Sequence, residues 1–122
     1  MEKKLYDLVI DEELEHVMSP LSDIELELLT ESLLSEGCRD PLVVWKGKIV
    51  DGHNRYRICQ ENNIPFTYIE IEFQSLSEAI VWILRNQLLK RNLNDYQKCE
   101  IVVRYEDDIQ AVLDSERNTQ SY

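Results

Sequence analysis

The strand-like run Lys48-Ile49-Val50 ends on Asp51-Gly52-His53-Asn54-Arg55-Tyr56, and a helix-like stretch from Arg55 to Asn62 follows at once. This junction constrains the fold more than any other part of the chain. A strand that hands over to a helix through one glycine must turn sharply, and glycine tolerates backbone angles that other residues resist. The first N–H groups of the helix then point out of its end, where an anion can meet them. Asp51, His53, Asn54 and Arg55 bring a carboxylate, an imidazole, an amide and a guanidinium to that corner. Turn chemistry accounts for Asp51 and Gly52 but does not require the three polar residues that follow. The chain has only two histidines in 122 residues, and one of them is here. Arg55 has the donor fork that grips a phosphate or carboxylate. Asp51 and His53 are the candidates for polarising or moving a proton, and Gly52 allows close backbone approach.

The rest of the pattern alternates strands and helices. Tyr6, Leu8 and Ile10 alternate with Asp7, Val9 and Asp11, the period of a short strand. Ser22-Asp23-Ile24-Glu25 has the spacing of a capping box and opens a helix with a stripe of Ile24, Leu28, Leu29, Leu33 and Leu34, stopped by Gly37. Leu42–Trp45, Lys46-Gly47 and Lys48–Val50 read as a β-hairpin. The helix after the junction stops near Asn62-Asn63, before Pro65, and 67–72 alternates as another strand. Ser75 with Glu78 predicts a second capping box, ahead of a helical face of Ala79, Ile80, Ile83, Leu84, Gln87 and Leu88. Asn94 with Gln97 predicts a third, opening a last helix from Asp95 to Leu113. From Asp114 the chain turns polar and is expected to fray. The expectation is one α+β domain over residues 1–113 with a polar tail over 114–122: a small mixed sheet, flanking helices and a C-terminal helical extension.

Composition narrows the function. A net charge of −11 opposes tight binding of duplex nucleic acid by this chain alone, because phosphate contacts need a basic surface. The charge is uneven: residues 1–36 hold eleven acids against two lysines, while residues 37–65 hold five bases against three acids. The junction therefore lies in the neutral-to-basic middle, suited to a small anion. No apolar run approaches the roughly 20 residues that span a bilayer, so no membrane partner is expected. Cys38, Cys59 and Cys99 are odd in number and widely spaced, which reads as reduced thiols in a cytoplasmic protein. Cys59, Trp45 and Trp82 are read as packing residues and His16 as solvated. With no paired Cys/His spacing, zinc is not expected.

A second polar cluster runs from Arg85 to Asn94 at the end of the predicted helix. Basic residues there complement the helix dipole. Asn86, Gln87 and Lys90 also recur at helical spacing and, with Arg91, would form one wall of a pocket.

Taken together these segments resemble a known family. Gly37-Cys38-Arg39-Asp40-Pro41-Leu42-Val43-Val44 resembles the G-x-x-x-P-[LI]-x-V strand of the ParB N-terminal domain, within the ParB/sulfiredoxin superfamily. Asp51–Tyr56 resembles that superfamily's phosphate-binding box, and residues 86–94 resemble its E-N-x-x-R-x-x-L-[NST] segment. The likeness spans about residues 5–110 and implies phosphate-binding roles for Gly52, His53, Asn54, Arg55, Asn86, Gln87, Lys90 and Arg91. It further implies a nucleotide ligand (CTP, ATP or ADP, with Mg2+), a partition-like or DNA-associated setting such as a plasmid or mobile element, and room for a homodimer.

Departures from the family motifs discriminate among its branches. The ParB box is G-E-R-R and binds the CTP triphosphate; here Gly52 and Arg55 match, while His53 and Asn54 replace the Glu and first Arg. The ParB magnesium ligands, Glu and Asn, fall on Asn86 and Gln87, which removes the metal carboxylate. The sulfiredoxin box is G-C-H-R with its catalytic Cys at the position of His53, so sulfinic acid repair is excluded. The D-G-H-H-R box of archaeal ADP-dependent serine kinases resembles Asp51–Arg55 most, implying Asp51 as base with His53 and Arg55 on phosphate. Three readings stay open: a nucleotide-binding partition domain, a small phosphotransferase, hydrolase or nuclease-like enzyme using Asp51 and His53, or an interaction module with a disused pocket. The helix-turn-helix that follows this segment in full ParB proteins is not among these residues, so DNA would be reached only through a further or partner DNA-binding region.

Overall fold

The computed structural model describes residues 8–18, 20–90 and 94–120, with residues 89, 90 and 118–120 described by their backbone. The hairpin predicted from the sequence forms its sheet. Strand β1 (Leu42–Trp45) pairs antiparallel with β2 (Lys48–Asp51) across Lys46-Gly47, whose φ angles of 51° and 78° are both positive. Two such residues give a turn whose twist matches that of the strands it joins. The pairing runs Trp45 to Lys48 and Val44 to Ile49, then shifts so that Val43 faces Asp51 and Val50 is the extra residue of a bulge. Strand β3 (Tyr68–Glu70) lies parallel on the other side of β1, giving the order β2-β1-β3. All four residues of β1 are buried, as expected of an apolar central strand.

A parallel partner needs a crossover. Helix α3 (His53–Asn62) supplies it, ending on Asn63 in the left-handed region with φ of 55°. Helix α3 packs on α2 (Asp23–Glu36), and the core between them and the sheet holds Leu33, Leu42, Ile49, Tyr56, Ile58, Cys59 and Phe66. Tyr56 meets Phe66 edge-on at 5.7 Å, and its hydroxyl donates to the Leu8 carbonyl at 3.2 Å. The Ser22/Glu25 capping box is present, and Gly37 closes α2 with φ of 80°. The predicted α2 stripe is only half right. Leu33 is buried, but Ile24, Leu28 and Leu34 are 67%, 61% and 58% exposed. At 100° per residue Ile24 and Leu28 lie on the side of the helix away from Leu33, so five leucine-type positions make two faces rather than one.

The N-terminal strand is reduced to one bridge, Val9 against Lys48, with Ile49 N–H donating to the Val9 carbonyl at 2.9 Å; Tyr6 and Asp7 lie outside the described residues. After it comes a short helix absent from the sequence reading, α1 (Glu12–Glu15), capped by the Asp11 carboxylate on the N–H groups of Glu13 and Leu14. It buries Leu14, and Val17 just beyond it is buried too.

The chain divides into two compact units between Glu72 and Phe73. The second is helical. Helix α4 (Leu76–Lys90) buries Ala79, Ile80, Val81, Ile83 and Leu84 and packs on α6 (Glu106–Gln120), with α5 (Asp95–Arg104) also against α6. The Asn94/Gln97 capping box is present as predicted. The single last helix is instead two: Tyr105 caps α5, and its carbonyl accepts from Ile109 N–H to begin α6. The acids Glu106, Asp107 and Asp108 that follow suit a helix start, where negative charge meets the positive end of the dipole. Residues 114–120, read as tail, continue α6. Arg85 pairs with Glu116 through two contacts of 3.2 and 3.3 Å, and Ser77 Oγ donates to Asp108 at 2.6 Å, tying α4 to α6. Among the described residues no helix is long and apolar enough to cross a membrane.

Candidate functional site

Gly52 is the pivot between β2 and α3. Its φ of 104° is open to glycine and costly for other residues. Space is tight as well: a Cβ at this position would lie 2.5 Å from Leu42 Cδ2 and 3.0 Å from an Arg55 guanidinium nitrogen. The central strand and the arginine therefore both press on the glycine. No side chain caps α3, whereas side chains cap α1, α2 and α5. Its first N–H groups lack the local acceptor that those helices supply.

Arg55 folds back over this end. One guanidinium nitrogen donates to the Asp40 carbonyl at 2.8 Å and the other contacts Asp51 Oδ2 at 3.4 Å. Both side chains are largely enclosed, 18% and 17% exposed. The arginine thus closes a ring from the segment before β1, over the glycine, to the end of β2. Its remaining N–H donors are the ones an incoming anion can use. Asp51, paired to a guanidinium, is an ion-pair partner here rather than an unencumbered base.

His53, the first residue of α3, is half-buried and turned toward the first unit's interior. Burial is the main cause of a pKa below its ordinary 6.5; the Arg57 charge adds to it, and Glu15, Asp51 and a hydrogen bond to Ile49 oppose it. The Ile49 N–H is already given to Val9, so the imidazole N–H donates to the Ile49 carbonyl. Nε2 is buried without a hydrogen-bond partner. The ring at neutral pH is uncharged, which suits a fixed acceptor better than a cationic phosphate ligand. Asn54 follows at the helix start, half-buried.

Beside His53, Arg57 forms a two-contact ion pair with Glu15, one contact at 3.1 Å. That hydrogen bond is the main reason the Glu15 carboxyl is held below its ordinary range and the Arg57 guanidinium is raised above it. Neither Glu15 nor the Asp40 carbonyl was singled out in the sequence. Asp11-Glu12-Glu13-Leu14 is an N-cap signature that points to α1, and so to Glu15. Nothing local points to the Asp40 carbonyl.

Asn86 and Gln87 are half-buried on α4, in the second unit. The backbone of Lys90 ends α4, its side chain is outside the described set, and Arg91 lies outside the described residues. Among the described residues no three His, Cys, Asp or Glu side chains gather to hold a metal ion.

No protein-family model matches the chain, and no curated protein matches it. Solved structures do. A structure of the Pnob8-like ParB-N domain, in one crystal form, superposes with a TM-score of 0.72 at 20% identity, over 95% of this chain and 47% of that one. A second structure of the pNOB8-like ParB N-domain gives a TM-score of 0.70 at 21% identity, over 95% of this chain and 44% of that one. The architecture is an α+β fold of the ParB N-domain kind. The chain spans less than half the length of the chains that it matches.

Proposed function

We propose that the chain is a ParB-like domain that binds the phosphate of a nucleotide at the start of α3 and works in a partition-like or other DNA-associated setting. The observation that carries the reading is the start of α3 itself: reached through a sterically committed glycine, uncapped by any side chain, and overhung by a guanidinium held in place by Asp40 and Asp51. Uncapped N–H groups, a helix dipole and a fixed arginine favour an anion together. The fold likeness supports the family setting. Gly52, Asn54 and Arg55 are proposed to meet the phosphate, with His53 supporting the corner from inside.

CTP, ATP and ADP are the candidate ligands, with Mg2+ carried on the phosphates. A metal so held keeps most of its oxygen ligands from water and phosphate, which suits a site with no carboxylate cluster among the described residues. Transfer of the phosphate with Asp51 as base would require the ligand to draw Arg55 away from it.

Thermal unfolding of the wild type and of Arg55→Lys with each nucleotide, with and without Mg2+, tests the reading. At about 100-fold excess over Kd a bound nucleotide stabilises by roughly 2–3 kcal/mol. Arg55→Lys keeps the charge, loses the fork, and is expected to lose most of that increment. If no nucleotide stabilises the wild type, the phosphate site is refuted. The acidic α2, with Ile24 and Leu28 exposed beside Glu27 and Glu31, then favours the interaction-module reading.

A further inference from the structure

Helix α2 carries on its outer side a surface that its own fold does not use. Leu33 faces the core, and Ile24, Leu28, Glu31 and Ser35 recur at helical spacing on the opposite side, with Glu27 and Leu34 along one border. Ile24, Leu28 and Leu34 are each more than half exposed. One exposed leucine is ordinary, but three large apolar side chains on one helix of 14 residues make a patch. Leu28 and Leu34 line a shallow groove together with Glu31, Ser32, Ser35 and Glu36.

The acids on this face work against the helix. Glu27 and Glu31 are four residues apart, a like-charge spacing that destabilises a helix. Neither has an ion-pair partner among the described residues. Negative charge continues to Glu36 at the C-terminal end, where it opposes the helix dipole, and the last turn holds no base. Glu36 is paired with Arg39 at 3.0 Å, in a contact open to solvent that offsets little of this. The exposed apolar groups and the charges beside them therefore add nothing to folding.

We propose that this face of α2 docks a basic amphipathic helix of another protein, whose aliphatic strip covers Ile24, Leu28 and Leu34 and whose lysines or arginines meet Glu27 and Glu31. Charge decides the occupant. A second copy, set against the same face in a two-fold contact, would bring these glutamates against their own counterparts, and the chain as a whole has a net charge of −11. Duplex DNA and an anionic membrane surface meet the same repulsion. Shape favours a helix, because apolar anchors at helical spacing on α2 suit a second helix laid along them. The aliphatic contacts supply the affinity, and the charge pairs steer and select the partner. The face is on the side of α2 away from its contact with α3, so docking does not depend on the phosphate site.

Two synthetic peptides of the length of α2 serve as probes: a helix former with leucines at helical spacing flanked by lysines, and the same composition in scrambled order. Titrated calorimetrically into the whole chain, the first is expected to bind with an affinity that falls as salt is raised. Ile24→Ser and Leu28→Ser, at exposed positions that folding does not need, are each expected to weaken it on the order of tenfold. Glu27→Gln with Glu31→Gln is expected to weaken it too, while raising the melting temperature, which a merely structural role would not do. Glu100→Gln, exposed on α5 in the other unit, is the control and should leave the affinity unchanged. Equal binding of the scrambled peptide would overturn the proposal, because it would reduce the effect to general attraction between a basic peptide and an acidic chain. No binding, or an affinity untouched by Leu28→Ser, would overturn it as well. So would a dimer of the chain that Leu28→Ser dissociates, which would assign the face to a second copy.

Discussion

Helices α2 and α3 begin in opposite ways. At α2 the Ser22 hydroxyl accepts from Glu25 N–H at 3.2 Å while Glu25 accepts from Ser22 N–H at 2.8 Å. Both donors are satisfied within four residues, and the helix start is chemically closed. At α3 the residue in the capping position is Gly52, which has no side chain to offer. What presses on that corner comes mainly from farther along the chain, Leu42 against the glycine and the Asp40 carbonyl on Arg55, with Ile49 on His53 as the nearer support. A closed start stabilises the helix alone, and an open one leaves N–H groups for a ligand. At α3 the ordinary local cap is thus replaced by contacts from other parts of the first unit.

The sharpest way to break it is at Gly52. Gly52→Ala adds a Cβ into Leu42 at a φ that alanine resists, and we expect a loss of about 3 kcal/mol or more in denaturant unfolding. Gly37 makes the control. Its φ of 80° is also positive, but a Cβ there meets nothing within 4 Å. Gly37→Ala is expected to cost about 1–3 kcal/mol, from backbone conformation alone. Equal losses at the two glycines would mean that backbone angle alone, and not the press of Leu42 and Arg55, fixes the corner.

The closed starts are expected to give the next largest effects. Ser22→Ala and Asn94→Ala each remove the acceptor of a capping box and should cost about 1 kcal/mol, read as a lower unfolding midpoint at unchanged denaturant dependence. Neither should alter nucleotide-dependent stabilisation, because neither touches α3. A loss of ligand response in Ser22→Ala would undo the division between closed and open helix starts.

These differences also explain what the sequence disclosed. The hairpin, the capping boxes at Ser22 and Asn94 and the glycine at the junction are patterns within four or five residues, set by backbone geometry that local spacing encodes. The grip of Arg55 is a hydrogen bond to a backbone carbonyl 15 residues away, and every residue type carries that carbonyl. No side-chain pattern could mark Asp40 for it. The two faces of α2 are a different failure, because apolar residues are legible while the neighbours that do or do not cover them are set by tertiary packing. The break at Tyr105 follows from the acid run after it, whose preference for a helix start outweighs continuous helical periodicity.

His53 sharpens the comparison through pH. Its folded pKa lies below the ordinary 6.5, mainly through burial. The unfolded chain therefore binds a proton that the folded corner resists. Stability is complete above the unfolded value and is lost as pH falls through 6.5 toward the folded one. His53→Gln, which cannot titrate, is expected to flatten this step, seen as a smaller loss of unfolding free energy when the pH is lowered through 6.5. A step that survives the substitution would mean that His53 is not its source.

The smallest effect separates the inner support of the corner from its surface. Glu15 is lowered from an ordinary 4.5 first by its hydrogen bond to Arg57, so its contribution is present above the unfolded value and is lost as pH falls below about 4.5. That window lies beneath the His53 window, and the two losses are separable in one acid titration. The Arg57 side chain is 44% exposed, so the pair is screened by solvent and worth roughly 0.5 kcal/mol. Glu15→Gln should remove that small stabilisation and most of its salt dependence, measured by unfolding at low and at 1 M salt. The Glu15 charge also favours the protonated form of His53, so its removal should move the His53 midpoint further down. An unmoved midpoint would show that the buried corner around Gly52 is electrostatically independent of α1.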